Sequence, residues 1–74
     1  MSDEYKKVSC DFYDQLEAYA TLKKEINITY FEGLSVVSDN MIIKTLETKN
    51  KEEFLIANSG LRLRLDQIIA VTEI

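Results

Sequence analysis

The feature that most constrains this chain is a single change in the spacing of its apolar residues, near residue 24. Before it, Phe12, Leu16 and Tyr19 recur at helical spacing and fall on one side of a helix. After it, apolar and polar residues alternate, as in the stretch EINITYFEG that ends at Gly33. Alternation with period two is typical of half-buried strands. The order predicts one N-terminal helix followed by strands, an α+β fold that is mainly β.

The helix is predicted over roughly residues 11–22, within a segment assigned to residues 10–23. Asp11 is the predicted N-cap, and Asp14 three residues later gives a pair that resembles a capping box. Asp14 and Glu17 lie on the polar side, with Asp11 at its edge. Cys10 is expected to be half-buried at the helix start.

Five or six short strands follow the helix in this interpretation. Ser38 to Asn40 is expected to form a turn or sharp bend, and Lys49 to Glu53 a charged loop. The strict alternation of LRLRLD predicts that Arg62 and Arg64 face solvent while the leucines face inward. Further turns are predicted at two places: Ser59-Gly60 and Asp66-Gln67.

Short connections favour antiparallel neighbours, and 74 residues are too few for two independent sheets. A small, strongly bent antiparallel barrel would bury one face of every strand and leave no free edge. SH3-like, Sm-like and OB-type barrels are the candidates. We expect a single domain with an arm at 1–9, the helix at 10–23 and the barrel at 24–74. Its core should share the following residues: Ile26, Ile28, Leu61, Leu63 and Leu65.

Composition restricts the partners and the compartment. The formal net charge of −4 disfavours direct binding of nucleic acid and favours a basic partner. Cys10 is the single cysteine, so the chain cannot form an intramolecular disulfide and nothing indicates an oxidising compartment. No apolar run approaches a membrane span, and the first residues do not resemble a signal peptide. We therefore expect a cytoplasmic protein without a membrane partner.

Residue chemistry argues against catalysis. The chain has no histidine and one cysteine, which removes the common general base, the usual nucleophile arrangements and the common zinc sites. Asp14 and Glu17 lie one helical turn apart, but on an exposed face that does not exclude water. The sequence predicts no enzymatic activity, no cofactor, no metal and no small-molecule substrate. On spacing alone, the acids of the helix are more simply a cap and a solvated face than a contact surface.

The segment CDFYDQLE, Cys10 to Glu17, resembles the signature that opens the helix of the Rho-binding antiterminators, the Rof or YaeO family. The later stretch LRLRLDQIIAV is similar to that family's closing segment, and the order of elements agrees from about residue 8 onward. The resemblance implies an Sm-like bent barrel with an N-terminal helix. It also implies a small acidic protein that docks on the RNA-binding domain of the hexameric transcription termination factor Rho, excludes RNA and inhibits termination.

Carried onto this chain, the resemblance implies a partner-binding surface formed by Asp11, Asp14 and Glu17, with Lys49 and Asn50 from a later loop. The carboxylates would pair with basic groups that otherwise hold RNA phosphates. Two alternatives remain open: an Sm-like RNA-binding module, and a regulatory domain for another basic protein. The acidic balance and the lack of a basic cluster count against the RNA-binding module.

Overall fold

The computed structural model of the chain describes residues 5–74. Its elements follow the predicted order of one helix and then strands. They are α1 (Cys10–Leu22), β1 (Glu25–Glu32), β2 (Ser35–Lys49), β3 (Glu52–Ala57), β4 (Arg62–Arg64), a 3-10 helix (Leu65–Gln67) and β5 (Ile68–Glu73). The part of the predicted arm at residues 1–4 lies outside the described residues.

The helix begins one residue earlier than its predicted cap. Ser9 is the N-cap: its Oγ accepts a hydrogen bond from the backbone N–H of Phe12, at 3.2 Å. The prediction of Asp11 as N-cap is therefore wrong, and Asp11 instead lies in the first turn, where its charge suits the helix dipole. At the other end Lys23 adopts a left-handed conformation, and its N–H reaches the carbonyl of Ala20. The Lys24 N–H likewise reaches the Tyr19 carbonyl, so two of the C-terminal carbonyls of the helix are satisfied.

The strands form one five-stranded antiparallel sheet in the order β4-β3-β2-β1-β5. β1 and β2 are joined by a two-residue turn, Gly33-Leu34, in which Gly33 has a φ of 63°. A positive φ at the first central position is typical of a tight hairpin turn, and glycine adopts it without strain.

Strand β2 is continuous, so the predicted turn or bend at Ser38 to Asn40 is wrong. These residues pair in register with the segment 27–29 of β1. Their polar side chains bond across the pair, with Asn27 Nδ2 donating to Asn40 Oδ1 at 2.9 Å. Residues that favour turns are thus held in a strand, because the partner strand pairs with their backbone and hydrogen-bonds their side chains. The register irregularity of β2 lies later, between Ile43 and Thr45, where its partner changes from β1 to β3.

The expectation of a closed barrel is wrong. β4 and β5 are the two edges of the sheet, and within residues 5–74 they do not pair with each other. The 3-10 helix carries the chain from one edge to the other. Its corner is held by side-chain bonds: Arg64 N–H donates to Gln67 Oε1 at 3.0 Å, and Gln67 Nε2 donates to the Phe31 carbonyl at 3.2 Å. With only three residues, β4 offers little ladder for a closing pair.

The core lies between α1 and the inward face of the sheet. Leu16 and Tyr19 are the buried residues of the helix, and Phe12 and Ala20 pack beside them, as the helical spacing predicts. Alternation correctly predicts burial of the strand residues Ile26, Ile28, Leu63 and Leu65, while Leu61 is partly buried against the same cluster. Within residues 5–74, no helix is long and apolar enough to cross a membrane.

Candidate partner-binding surface

All three acids predicted to bind a partner are exposed on α1. Asp11 lies in its first turn, and Asp14 and Glu17 follow at spacings of three residues along the helix. Because Leu16 and Tyr19 hold the opposite side of the helix against the sheet, these carboxylates are directed away from the core. The helix therefore presents them without burying any of their charge.

The helix acids differ from Glu47 of β2 and Asp66 of the 3-10 helix in having no ion-pair partner within residues 5–74. Within residues 5–74, no basic nitrogen lies within 4.0 Å of a carboxylate oxygen of Asp11, Asp14 or Glu17. By contrast, acids of the β-strand region pair with arginine: Glu47 with Arg62 at 3.1 Å, and Asp66 with Arg64 at 2.7 Å. The negative charge of α1 is therefore not neutralised by close ion pairs within the described chain.

Tyr13 separates two hollows beside the helix acids, and we name the pair of hollows the Tyr13 groove. The smaller hollow, of about 190 Å³, is lined by these residues: Lys7, Val8, Cys10, Tyr13, Asp14 and Glu53. The larger, of about 310 Å³, is lined by these: Tyr13, Glu17, Ala20, Thr21, Lys44, Thr45 and Leu46. Each hollow combines an aromatic ring, an aliphatic wall and at least one carboxylate. This arrangement suits a long basic side chain, whose stem is apolar and whose end is charged.

The Tyr13 hydroxyl responds to the negative field of the groove. Partial burial raises the pKa of Tyr13 above its ordinary value, and the nearby carboxylates of Glu53, Glu17 and Asp14 raise that pKa further. Lys7 and Lys44 also line the groove, so positive charge is present beside these carboxylates.

Glu53 is fixed at the groove by the N-terminal arm. The Tyr5 hydroxyl donates a hydrogen bond to Glu53 Oε1 at 2.7 Å, and the Lys6 N–H donates to Asp66 Oδ2 at 3.1 Å. Burial, this hydrogen bond and the charge of Glu53 raise the pKa of Tyr5 above its ordinary value, in that order of importance. The arm thus holds one wall of the smaller hollow in place.

Lys49 and Asn50 lie at the tip of the β2–β3 hairpin. The predicted charged loop from Lys49 to Glu53 is wrong in extent, because β3 already begins at Glu52 and only Asn50-Lys51 form the turn. Both turn residues have positive φ, 53° and 64°, which matches a tight hairpin turn. Asparagine tolerates this conformation, whereas for lysine it costs about 1–2 kcal/mol. Lys51 therefore occupies a position where glycine would be more stable.

The structure brings together only some of the predicted site residues. Asp14 and Glu17 both line the Tyr13 groove, while Asp11 lines neither hollow. Lys49, the last residue of β2, and Asn50, the first residue of the hairpin turn, also lie outside both hollows. The hairpin contributes to the groove through Glu53, which sequence reasoning placed in the charged loop. The sequence signal that could have placed Glu53 at the groove is strand alternation. Glu53 precedes buried Leu55 by two residues and so lies on the same side of β3.

Cys10 is exposed and lines the smaller hollow, so the expectation that it is half-buried is wrong. Ser9 occupies the N-cap, and Cys10 is the first residue of the helix, on its exposed side. Arg62 is exposed, as predicted, and lies 4.2 Å from the Phe54 ring centroid. Arg64 is only partly exposed and packs near the Tyr5 ring, so the prediction of a solvated face holds for Arg62 and is wrong for Arg64.

No protein-family model matches this chain, and comparisons with curated proteins and with solved structures also find no match.

Proposed function

We propose that this protein inhibits Rho-dependent transcription termination in the cytoplasm by binding the RNA-binding domain of Rho through α1 and the Tyr13 groove. The proposal rests on the resemblance of Cys10–Glu17 and of the closing segment to the Rho-binding antiterminators. The Sm-like character of the bent sheet belongs to the same proposal. It is supported by the N-terminal helix, the strand order and the 3-10 turn before β5.

The observation that carries the proposal is the absence of ion pairs on α1. Asp11, Asp14 and Glu17 are exposed acids without a basic partner among residues 5–74. An unpaired acidic surface is complementary to a basic site evolved for RNA phosphates, so the protein and the RNA would compete for it. Asp14 and Glu17 flank Tyr13, where a partner arginine would find both a ring and a carboxylate.

Charge reversal tests the proposal. Asp14→Lys and Glu17→Lys should each weaken binding to the Rho hexamer by about 2–5 kcal/mol, because the partner's charge would be desolvated without a counterion. Binding can be measured by calorimetry with the full-length chain, and a thermal melt of each variant reports its folding. Both residues are exposed, so the fold should survive either change.

The matched control is Glu32→Lys, which makes the same charge change at the exposed end of β1. Glu73 is less suitable, because its carboxylate lies 2.9 Å from Lys24 Nζ and its reversal would break that ion pair. Wild-type-like binding of both helix variants would overturn the proposed contact. Loss of binding in Glu32→Lys alone would place the contact elsewhere on the protein.

A competition experiment addresses the alternative of an RNA-binding module. The purified chain should not bind single-stranded pyrimidine RNA at physiological salt, and it should displace that RNA from Rho. Salt-sensitive binding of RNA to the chain itself would favour the RNA-binding alternative. If the chain binds Rho but does not displace the RNA, a regulatory contact away from the RNA site would be favoured instead.

A further inference from the structure

Strand β2 is longer than both strands that pair with it, so part of its length extends beyond each of them. On one side, β1 pairs with residues 35–42 of β2. On the opposite side, β3 pairs with the later half of β2, as far as Lys49. Within residues 5–74, residues 43–49 of β2 therefore have no partner strand on the side away from β3. We name this side of residues 43–49 the open edge.

The backbone groups of two β2 residues point out of the open edge. Successive residues of an antiparallel strand direct their N–H and C=O groups alternately to its two sides. The Ala57 N–H donates at 2.8 Å to the carbonyl of the residue before β4, so Ala57 points away from β2. Leu55 and Glu53 follow the same alternation and also point away from β2. Their register partners, Leu46 and Thr48, must then point away from β3, toward the open edge.

The β2–β3 hairpin turn gives the same result independently. Asn50 and Lys51 are its two central residues, and Lys49 pairs with Glu52 on either side of them. A tight turn is closed by a hydrogen bond between its first and fourth residues, so Lys49 directs its backbone groups to β3. Thr48, the residue before Lys49, therefore directs its N–H and C=O to the open edge.

Helix α1 runs beside the open edge and forms the second wall of a groove. The larger hollow of the Tyr13 groove, of about 310 Å³, lies between the two elements. Tyr13, Glu17 and Ala20 line it from one stripe of α1, and Lys44 and Leu46 line it from β2. An unpaired strand edge beside a hollow is a template for one more strand.

The groups at the open edge define what kind of molecule fits there. Leu46 and Thr48 present donors and acceptors about 6.8 Å apart along the strand, which is the repeat of an extended polypeptide. The Leu46 carbonyl accepts a hydrogen bond from Thr45 Oγ1 at 3.2 Å, and a carbonyl oxygen has a second lone pair for another donor. An extended peptide would therefore satisfy backbone groups that the sheet itself leaves unpaired.

Charge indicates which side chains that peptide carries. The charged residues that line the two hollows of the Tyr13 groove are three acids and two lysines, namely Asp14, Glu17, Glu53, Lys7 and Lys44. The whole chain has a formal net charge of −4. Both observations favour a segment with lysine or arginine over an acidic one.

We propose that the open edge of β2 is a docking site at which an extended basic segment of a partner protein adds as a further strand, between β2 and α1. In the complex with Rho this segment belongs to Rho, and to that extent the inference rests on the proposed function. Backbone hydrogen bonds to Leu46 and Thr48 supply affinity with little demand on sequence. Glu17 and the Tyr13 ring select a basic side chain within the segment.

A titration of the full-length chain with a capped hexapeptide of alternating lysine and valine, followed by NMR, tests the proposal without Rho. Valine favours an extended conformation, and the like charges of the lysines oppose pairing of the peptide with itself. The amide resonances of Leu46 and Thr48 should shift, and their hydrogen exchange should slow. Those of β5, the edge strand whose Glu73 is already paired with Lys24, should not change.

Thr48→Pro removes one donor of the open edge and should weaken binding of the peptide at least about tenfold. The fold should survive, because this N–H does not bond to β3 and proline is tolerated where the N–H side of a strand is free. Thr48→Ala is the matched control, since it loses the same exposed side chain but keeps the N–H. It should bind like the wild type, and a thermal melt of each variant reports its folding.

Two further peptides keep the test independent of the variants. The same hexapeptide methylated at every backbone nitrogen cannot donate to the edge, and it should bind at least about tenfold more weakly. A hexapeptide of alternating glutamate and valine should also bind more weakly, because its charges meet the acids of the groove.

Several results would overturn the proposal. They are the absence of shifts up to millimolar peptide, shifts confined to β5, and wild-type-like binding by Thr48→Pro or by either altered peptide. Loss of binding in Thr48→Ala would assign the contact to the side chain and would equally overturn strand addition. Because none of these measurements uses Rho, a failure here is distinguishable from a failure of Rho binding.

Discussion

The two sides of this small molecule are built by different means. On one side, the Tyr13 groove combines residues far apart in sequence, since Asp14 comes from α1 and Glu53 from β3. On the other, the outward face of β1 and β2 follows from strand pairing alone, with Asn27 opposite Asn40. The groove is a product of tertiary packing, whereas the face is a product of register. Changes that loosen the helix should therefore affect the first more than the second.

The largest expected effect comes from Leu16→Ala, which removes the fully buried side chain that holds α1 on the sheet. Truncating a buried leucine costs about 2–5 kcal/mol, because it loses apolar burial and leaves a cavity. Denaturant unfolding measures the free energy, and hydrogen exchange should show α1 losing protection before the β1–β2 hairpin.

Leu22→Ala is the matched control, since Leu22 lies on the same helix but is 70% exposed. Its free energy of unfolding should change by no more than about 0.5 kcal/mol. Equal costs for the two variants would contradict the assignment of Leu16 as the residue that anchors the helix.

The next largest expected effect is a different response of the two sides to ionic strength. Binding of Rho through the acids of α1 should weaken markedly as salt shortens the Debye length from about 10 Å at 0.1 M to about 3 Å at 1 M. The hairpin of β1 and β2 should be less sensitive to salt, because its side-chain hydrogen bond between Asn27 and Asn40 joins uncharged groups. Calorimetry of Rho binding and thermal melts of the free chain over the same salt series check this, and Rho binding that does not depend on salt would contradict a contact through the acids of α1.

A smaller effect is expected from Tyr5→Phe, which removes the hydrogen bond to Glu53 at the wall of the groove. At neutral pH we expect a loss of about 1 kcal/mol. The pKa of Tyr5 in the folded protein is raised above the ordinary 10.0, so the folded state retains the proton more strongly. The resulting stability is present below pH 10 and is lost as pH rises toward the folded pKa.

Chemical unfolding between neutral and alkaline pH should accordingly show a flatter decline of stability for Tyr5→Phe than for the wild type. Tyr13→Phe serves as the comparison, since the Tyr13 pKa is also raised but no hydrogen bond of its hydroxyl is recorded within residues 5–74. It should change little at neutral pH. An unchanged alkaline slope in Tyr5→Phe would show that Tyr5 does not carry this dependence.

The smallest effect, and a stabilising one, is expected from Lys51→Gly at the hairpin tip. Glycine removes the strain of a φ of 64° but adds entropy to the unfolded chain, which leaves a gain of about 0.5–1 kcal/mol. Lys51→Ala keeps the strained backbone and removes the same charge, so its stability should stay near that of the wild type. If both variants melt alike, backbone strain at this turn is negligible.

Much of the fold could be predicted from periodicity. Helical spacing correctly placed Leu16 and Tyr19 in the core, and alternation correctly placed Leu63 and Ile28 there. Local chemistry misled where a partner strand intervened: Ser38 to Asn40 favour a turn by themselves but are held in β2 by pairing with β1. The closed barrel was also predicted wrongly. Whether two edge strands pair depends on the distance between them in the folded chain, and no local sequence pattern encodes that distance.

The sequence by itself determined the order of helix and strands and the charge of the helix, since these depend on neighbours two to four residues away. Tertiary structure alone decided which charges stay unpaired and which are neutralised. Arginines of β4 form ion pairs with Glu47 and Asp66, while Asp14 and Glu17 form no ion pair within 4.0 Å among residues 5–74. It also decided that Glu53 faces Asp14 across a hollow. Electrostatic energy depends on separations in space, and residues 39 positions apart acquire a separation only when the chain folds.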